Sequence, residues 1–452
     1  MTSPHKIDIV PAGAAPTELS GWGHYPVVHG EERLGENLPA ITQGVVLTRG
    51  LGRSYGDASL PPSSNGPVAG SILADRILSF DPDTGVVRAE AGFPLWRLNR
   101  LFLPRNWFTP VTPGTHFVTL GGMVAADVHG KMHHVDGCVG EHVTRLLLRV
   151  ADGRIVECSE TKESELFCAT IGGMGLTGHI LEVDLRMKRI PSPWILQETE
   201  RCDSFDRLID ALKEAGKTWP FTVTWADFLD HGSHMGRGLL MKGRWAEPSE
   251  APKEPPRFRN PLIIPPVFPS WLGQPFMVRI FNRLVYAGVR RGRGILHPEM
   301  CFYPLDIFQN WNNLYGKRGF TQYQCLLPDT PDHVGQHRLL DTLRRLQAPV
   351  FLAVIKDCGR EGRGMLSFPK PGISYALDLP VDERTQSIVD ALNDVVVAEG
   401  GRIYLAKDAF TRAEHFRAME PRLEAWQTVR RKWDPNRVLR SAQSVRLLGD
   451  TP

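Results

Sequence analysis

Three glycine-dense segments constrain this chain more than any other feature of its sequence. They are Arg49–Asp57, Pro113–Lys131 and Ile171–Gly178, and each adjoins an apolar run typical of a β-strand. Glycine has no Cβ, so its backbone amide can approach a pyrophosphate closely and the chain can turn through positive φ. An ordinary tight turn would explain one such segment. Three of them together favour a nucleotide-cofactor site.

Composition agrees with a globular enzyme and excludes few classes of protein. The chain has 452 residues, 42% of them hydrophobic and 23% charged, which suits about two or three domains with large cores. A net charge of +3 is too small to indicate a nucleic-acid partner. We find no apolar signal core near the N-terminus and no apolar run of about 18 residues. We therefore expect a cytoplasmic protein without a signal peptide or a transmembrane segment.

Cysteine and histidine usage gives no indication of a metal. The seven cysteines are scattered and form no CxxC pair, which favours reduced, buried thiols over a disulfide framework. Glycine and lysine interrupt a histidine cluster between positions 116 and 142, so the ligand spacing of a metal site is missing. We expect no metal.

Two short motifs match known patterns but lack the structural context that those patterns need. Gly173–Gly178 fits G-x-G-x-x-G, yet a predicted helix precedes it and a predicted strand, His179–Lys188, follows it, the reverse of a dinucleotide-binding turn. Gly52–Gly56 fits the G-x-S-x-G elbow of α/β-hydrolases, but a proline-rich loop follows where that elbow needs a helix. A serine hydrolase using Ser54 is therefore only a minor alternative.

The order of predicted elements indicates an α+β protein. Residues 76–92 and 146–157 read as hairpins that turn at Asp-Thr-Gly and Asp-Gly. Pro191–Pro193 marks a boundary before an aromatic-rich middle region, and the last 50 or so residues are helical. Thr411 and Glu414 have the spacing of a capping box for the first of these helices.

The chain resembles the vanillyl-alcohol-oxidase-type FAD enzymes, and within them the family that oxidises decaprenylphosphoryl-β-D-ribose. The motifs that carry the resemblance follow the family's order along nearly the whole chain. They are Leu19–Trp22, Arg49–Asp57, Pro113–Thr115, Val118–Gly122, Asp127–His134, Ala169–Gly178, Gln322–Gln324, Leu366–Gly372 and Tyr404–Asp408.

The resemblance implies a two-part FAD-binding domain. Residues 1–192 would form its first part and 401–452 its C-terminal part. Residues 193–400 would form a substrate-binding domain, an antiparallel sheet with helices, inserted before the C-terminal helices. Many relatives bond a histidine covalently to the flavin, but Arg53 occupies that position here, so we expect non-covalent FAD. A purely structural role for Arg53 is equally open.

The resemblance also implies which residues surround FAD. The set is Arg49, Gly50, Leu51, Gly52, Arg53, Ser54, Tyr55, Gly56, Pro113, Gly114, Thr115, Thr119, Gly121, Gly122, Ala125, Asp127, His129, Gly130, His134, Gly173, Gly175, Gly178, Ile180, Tyr404 and Lys407.

The chemistry implied is hydride transfer from an alcohol carbon to flavin N5. Such a site needs a proton acceptor and positive charge near the flavin N1–C2=O group. We expect Lys407, Tyr55 and His129 to be the catalytic residues. A lysine at a strand end is ordinarily solvated, and a tyrosine can serve packing alone. For the substrate, the resemblance implies Lys131, Gln322, Gln324, Lys356 and Asp378.

The substrate implied is the 2′-hydroxyl of a polyprenylphosphoryl-β-D-ribose. Its oxidation to a ketone is the first half of an epimerisation toward arabinose, in cell-wall arabinan synthesis, and a short-chain reductase would complete it. Mycobacterial relatives have a cysteine two residues before Asp378, where this chain has Ala376, so the exact sugar or lipid is less certain than the reaction. A soluble sugar, alditol or aldonolactone is the alternative substrate.

One basic, apolar region suggests contact with a membrane. Residues 257–297 contain seven arginines and no acidic residue. Arg279, Arg283 and Arg290 fall near one face of a predicted helix, largely opposite Phe276 and neighbouring apolar residues, a pattern typical of helices on anionic membranes. The alternatives are an amphipathic helix packed on its own domain and a loop disordered around its prolines.

Overall fold

The computed structural model describes residues 17–452 apart from 65, 231, 233, 255, 259, 260, 266–273, 290 and 291. Eleven strands and five helices precede residue 190 in the described part of the chain. The strands are β1 Thr17–Ser20, β2 Val27–Leu34, β3 Thr48–Arg49, β4 Gly66–Gly70, β5 Ile77–Phe80, β6 Val86–Glu90, β7 Trp107–Phe108, β8 Val143–Arg149, β9 Ile155–Cys158, β10 His179–Arg186 and β11 Lys188–Arg189. The helices are α1 Leu38–Ile41, α2 Leu95–Phe102, α3 Leu120–Ala125, α4 His133–Asp136 and α5 Ser164–Thr170.

Ten further strands and eight helices follow in the described residues. The strands are β12 Ile195–Cys202, β13 Phe221–Ala226, β14 Gly238–Trp245, β15 Leu262–Ile263, β16 Gly292–Leu296, β17 Phe308–Gln309, β18 Phe320–Leu327, β19 Leu352–Cys358, β20 Gly372–Pro380 and β21 Arg402–Ile403. The helices are α6 Phe205–Gly216, α7 Pro275–Gly288, α8 Pro298–Phe302, α9 Val334–Arg345, α10 Thr385–Ala398, α11 Ala413–Met419, α12 Leu423–Trp433 and α13 Ala442–Leu448.

Two sheets organise the N-terminal part. Strands β1-β2-β4-β3 form a small mixed sheet, in which β4 pairs in parallel with both of its neighbours. Strands β5-β6-β10-β8-β9 form an antiparallel sheet that contains both predicted hairpins. The strand predicted from residue 179 is therefore the central strand of this sheet, which confirms the reversed order at Gly173–Gly178.

An eight-stranded antiparallel sheet, β16-β12-β14-β13-β19-β20-β18-β21, organises the rest. Side chains alternate between its faces, so the residues at alternate positions of one strand share an environment. Tyr323 points to one face and donates its hydroxyl proton to Asn393 on α10. Gln322 and Gln324 occupy the opposite face, which faces the glycine segments and leaves room for a ligand.

The C-terminal helices return to the first sheets. Trp426 on α12 is fully buried and donates from its indole nitrogen to the carbonyl of Ala169 on α5. The predicted capping box at Thr411 and Glu414 is wrong, because α11 has Arg412 at its N-cap. Ser441 and Ser444 form a capping box at α13 instead.

The arrangement of antiparallel sheets with helices packed on them is an α+β fold. All seven cysteines are free thiols, six of them buried. Across the described residues, no helix combines the length and the apolar character needed to cross a bilayer.

Candidate active site

A cavity of about 260 Å³ separates the glycine segments from the open face of the large sheet. Residues of all three glycine segments lie on one side of it, and side chains of β18, β19 and β20 lie on the other. The 404–407 turn closes the end of the cavity between these two walls. The cavity therefore lies where the notable sequence motifs converge.

The first glycine segment is fixed by contacts between backbones. Gly52 has φ of +63°, a conformation that strains any residue with a Cβ. The Tyr55 amide donates to the carbonyl of Ala406 at 2.9 Å, and a Cβ on Gly56 would collide with the carbonyl of Asp408. Glycine is thus required to bring this segment against the turn that carries Lys407.

Donors in this wall point to an anionic ligand. Within the described chain, the amides of Leu51, Gly52, Arg53 and Ser54 donate to no backbone carbonyl or side chain. The Arg53 guanidinium is buried 3.9 Å from the centre of the Trp22 ring, and its Nε has no hydrogen-bond partner. Unsatisfied buried donors are costly, so a ligand with acceptor oxygens would complete them.

These observations fit the diphosphate and flavin expected from the resemblance. Free amides and a guanidinium suit a pyrophosphate, whereas the apolar wall of Ala125, Val128 and Tyr404 suits an aromatic ring. Buried carboxylates near this wall are paired or hydrogen-bonded: the Asp57 carboxylate, for example, binds Arg446 at 2.8 Å. The residues present therefore fit FAD.

The sheet face carries a continuous polar network. Gln322 and Gln324 lie opposite Asp378 and Ala376 in the β18–β20 register. The Gln322 amide donates to Asp378 at 2.6 Å, and the Gln324 amide donates to the Ser374 hydroxyl at 3.1 Å. Alternate positions of neighbouring strands thus place hydrogen-bonding groups along one wall.

Lys407 ends a single 3₁₀ turn, Leu405–Lys407, and not the longer strand expected, since β21 stops at Ile403. Its ammonium lies 3.5 Å from the centre of the Tyr55 ring, a cation–π contact. Burial lowers the pKa of Lys407, and the negative charge of Asp378 limits that lowering. Burial likewise raises the pKa of Asp378. The structure thus places a desolvated lysine within electrostatic range of the Asp378 carboxyl group.

His129 is a neutral hydrogen-bond acceptor in this network. The Gln324 amide nitrogen lies 2.9 Å from His129 Nε2, and with the amide assigned in this orientation the proton of the ring is on Nδ1. Burial lowers the pKa of His129 well below its usual value, and the charges of Lys356 and Lys407 lower it further. Because Nδ1 has no partner, it can donate to a ligand.

Two further buried lysines make this region electropositive. Burial lowers the pKa of Lys356 to about 8, and its side chain lines the cavity. Lys131 is buried as well, and its ammonium donates to the Cys301 carbonyl, so it lies behind the cavity wall. Together with Lys407 they favour an anionic ligand.

Most of the residues predicted from the sequence are brought together at this cavity. Those lining it are Gly50, Leu51, Gly52, Arg53, Ser54, Tyr55, Pro113, Gly114, Thr115, Thr119, Gly122, Ala125, His129, Gly175, Gln322, Gln324, Lys356, Tyr404 and Lys407. Asp378 is linked to them through Gln322.

The remaining predicted residues lie behind the walls. Arg49 binds the Ser20 carbonyl and the Ser59 hydroxyl, and His134 Nε2 bonds to the Trp219 carbonyl. Asp127 is fully buried and accepts from the Gly140 amide at 2.8 Å. The others pack against neighbouring backbone or side chains without lining the cavity, namely Gly56, Gly121, Gly130, Gly173, Gly178 and Ile180.

Sequence reasoning missed four residues of the site. Trp22 stacks on Arg53, and Tyr315 donates from its hydroxyl to Asp378 at 3.1 Å. Asp306 lines the cavity from a segment without a motif, so no sequence signal could have found it. Ser374 could have been found, because it is two and four residues before Ala376 and Asp378 on one strand.

The described residues contain no group of three or more His, Cys, Asp or Glu side chains arranged to hold a metal ion. Ser54 lines the cavity, but in the described part of the chain no histidine hydrogen-bonds to its hydroxyl. Nucleophilic catalysis by serine requires such a base. The geometry therefore gives no support to the hydrolase alternative.

Comparison with known proteins agrees with this site. A family profile described as FAD binding domain matches residues 40–159. Decaprenylphosphoryl-β-D-ribose oxidase of Mycolicibacterium smegmatis is 34% identical over 89% of this chain and 89% of its own length. An uncharacterised protein of Streptomyces coelicolor is 30% identical over 78% of this chain and 99% of its own. A putative D-arabinono-1,4-lactone oxidase of Neurospora crassa is 25% identical over half of this chain and 39% of its own length.

The family resemblance stated from motifs is thus confirmed over nearly the full length of the chain. The match to the FAD binding domain covers the first two glycine segments and the fit of the cavity agrees with it, so FAD is the cofactor. With a cavity that fits FAD and this similarity over nearly its full length, the chain belongs to the vanillyl-alcohol-oxidase-type FAD-dependent oxidoreductases, in the family of decaprenylphosphoryl-β-D-ribose oxidase.

Proposed function

We propose that this enzyme oxidises the 2′-hydroxyl of a polyprenylphosphoryl-β-D-ribose to a ketone. One observation carries the proposal: polar side chains of β18–β20 face the FAD cradle across a cavity with buried lysines. The similarity to decaprenylphosphoryl-β-D-ribose oxidase extends over the elements that build both walls. When bound, FAD accepts a hydride at N5 from the carbon that carries the hydroxyl.

In this proposal residues 1–192 and 401–452 form the FAD-binding domain, and 193–400 form the substrate-binding domain. Seven of the eight strands of the large sheet lie between residues 195 and 380, which supports the partition, and β21 joins the sheet from the C-terminal part. The amides of 51–54 and Arg53 hold the pyrophosphate side of the cofactor. FAD is bound non-covalently, because arginine replaces the histidine to which relatives attach it.

Lys407 supplies positive charge beside the reacting flavin. Held 3.5 Å from the Tyr55 ring in a buried site, its cation acts in a low dielectric and needs no reorganisation when negative charge develops. His129 donates from Nδ1 to an oxygen of the sugar, and Gln324 fixes its orientation. Lys356, with Lys131 behind it, attracts the phosphate of the substrate.

The proposed product is a keto sugar that keeps its lipid. Reduction of this ketone from the opposite face would invert C2′ and give the arabinose epimer. That step needs a hydride donor, so a short-chain reductase is the proposed partner. This places the enzyme in the first half of an epimerisation that serves cell-wall arabinan synthesis.

Contact with the membrane would give access to a lipid-linked substrate. Helix α7 packs on the sheet through Asn282 and Tyr286, which bond to Asp227 and to the Cys202 carbonyl. It leaves Phe276 and Leu284 each 66% exposed. An exposed apolar stripe in an arginine-rich region supports peripheral binding to anionic lipid. Arg290, which we expected on the polar face, and residues 266–273 of this region lie outside the described residues.

Anaerobic spectroscopy tests the proposed reaction. Purified protein should be yellow, should release its flavin into the supernatant on acid denaturation, and should bleach when a polyprenylphosphoryl-β-D-ribose is added. The matched 2′-deoxyribose ester should bind in competition without bleaching, since it lacks the hydroxyl that is oxidised.

The alternative substrate is a soluble sugar, alditol or aldonolactone. The similarity to a putative lactone oxidase over half of the chain is the observation that favours this alternative. Rapid bleaching by such a polyol, with none by the lipid-linked ribose, would establish this alternative and refute the proposal. A colourless protein that takes up no FAD would refute both.

A further inference from the structure

A second and larger cavity, of about 920 Å³, adjoins the one that holds the catalytic residues. The two cavities share Asp306, whose carboxylate accepts hydrogen bonds from the Thr115 hydroxyl at 3.0 Å and from the His116 amide at 2.8 Å. Thr115 lines the FAD cavity and His116 lines the larger one. A single carboxylate and one loop therefore separate the two spaces.

The larger cavity is mostly apolar. Its volume is in the range of cavities that bury a sizeable organic ligand. The apolar residues that face it come from α2, the 116–117 loop and the segment 194–307, namely Trp96, Phe117, Trp194, Leu296, Met300 and Ile307. The charged residues of the lining are Arg100, Lys253, Glu254, Arg257, Glu299 and Asp306. The apolar part of the lining gains free energy by burying a hydrocarbon.

Two buried carboxyl groups in this cavity are compatible with an apolar ligand. The His116 ring lies 3.6 Å from both Glu299 and Asp306. Burial raises the pKa of Glu299 to about 7 and that of Asp306 to about 6. The neutral form of Glu299 is therefore populated near neutral pH, which reduces the cost of facing hydrocarbon.

The apolar wall continues to the surface. Leu262 lines the cavity and is exposed, and its neighbour Ile263 is exposed as well. Both belong to the same arginine-rich region as α7 with its exposed Phe276 and Leu284. Leu262 thus extends the lining of the larger cavity to the surface, and Asp306 lies where this cavity meets the FAD cavity.

We infer that the larger cavity binds the proximal isoprene units of the substrate's lipid chain, an inference that rests on the proposed function. A chain attached through the phosphate must leave the catalytic cavity, and the larger cavity is the adjoining apolar space. Enclosure of these units makes the enzyme selective for lipid-linked over free sugar phosphates.

The test measures binding against chain length. Ribofuranosyl phosphates carrying no lipid, geranyl, farnesyl or geranylgeranyl chains are titrated into the full-length FAD-loaded enzyme under anaerobic conditions, and bleaching gives an apparent Kd. The affinity of the enzyme for the ester should rise about tenfold or more for each isoprene unit that enters the larger cavity. It should then level off when the cavity is full. Trp96 and Trp194 provide a second readout, because a geranylgeranyl phosphate without sugar should quench their fluorescence.

Met300 offers a substitution with a matched control. It lines the cavity and is 43% exposed, so a charge there is tolerable for folding. Met300→Asp should abolish most of the dependence of the apparent Kd on chain length and leave the apparent Kd of the lipid-free ester unchanged. Met300→Leu should show the same dependence on chain length as the wild type. Val334→Asp, on α9 and 44% exposed, should behave as the wild type.

Equal affinity for short and long chains in the wild type would overturn the inference while leaving the proposed reaction intact. So would a Met300→Asp variant that weakens the binding of all esters equally. In contrast, no bleaching by any ester would overturn the proposed function, and this inference with it.

Discussion

The Lys407 ammonium lies 3.5 Å from the centre of the Tyr55 ring, joining two segments that are about 350 positions apart in the chain. The Tyr55 amide reinforces this contact by donating to the Ala406 carbonyl, one residue before the lysine. The first glycine segment and the lysine proposed to be catalytic are thus held as one unit.

Replacing Lys407 should separate cofactor binding from catalysis. Lys407→Met keeps a side chain of similar length, so the protein should remain yellow. Its rate of flavin reduction should fall about a hundredfold or more, because the stabilising charge is lost. Stopped-flow bleaching measures this rate, and Lys317→Ala, at an exposed lysine, is the control. A normal reduction rate in Lys407→Met would refute its catalytic role.

The pH dependence of flavin reduction should report the Asp378–Lys407 pair. A lysine whose pKa is lowered loses its proton as pH rises through a value below 10.5, so the rate should fall there if the cation is the active form. Asp378→Asn removes the charge that limits this lowering and should move the alkaline limb to lower pH. Asp341→Asn, on the surface, should leave the profile unchanged. An unmoved alkaline limb in Asp378→Asn would contradict the coupling.

Arg53 should contribute to FAD affinity. Its guanidinium is buried between the Trp22 ring at 3.9 Å and the Phe117 ring at 5.2 Å, so it is already oriented toward the cavity. Arg53→Ala should weaken FAD binding roughly tenfold to thirtyfold, as measured by titration of the apoprotein. Arg154→Ala, which removes an exposed arginine from the Trp433 ring, should have no effect. If Arg53→Ala binds FAD with unchanged affinity, the role of Arg53 is structural only.

A thiol at position 376 should make the cavity reactive toward a thiol-directed electrophile. Ala376 lines the cavity, whereas native thiols such as Cys325 are buried, with a pKa raised to about 12. Intact-mass spectrometry should therefore find an adduct in Ala376→Cys and none in the wild type. A substrate analogue should block it. An adduct in the wild type at Cys168, the one thiol that is not buried, would show that position 376 does not decide reactivity.

Motifs in the sequence were sufficient to predict the wall of glycine segments but not the opposite wall on the sheet. The glycines of Arg49–Asp57 are local requirements of backbone geometry, so their spacing alone indicates a cradle. Gln322, Gln324, Lys356 and Asp378 came from the resemblance, because polar residues on a strand reveal no function until the partner strand and face are known. The sheet register supplies that information.

By itself the sequence determined the α+β class, the glycine cradle and the family, because these depend on local backbone chemistry and on motif order. Only the tertiary structure decided that Lys407 lies on Tyr55, that Trp22 stacks on Arg53 and that Asp306 separates two cavities. Each of these relationships joins residues far apart in the chain. Side-chain packing fixes them, and packing leaves no periodic pattern in the sequence from which they could be predicted.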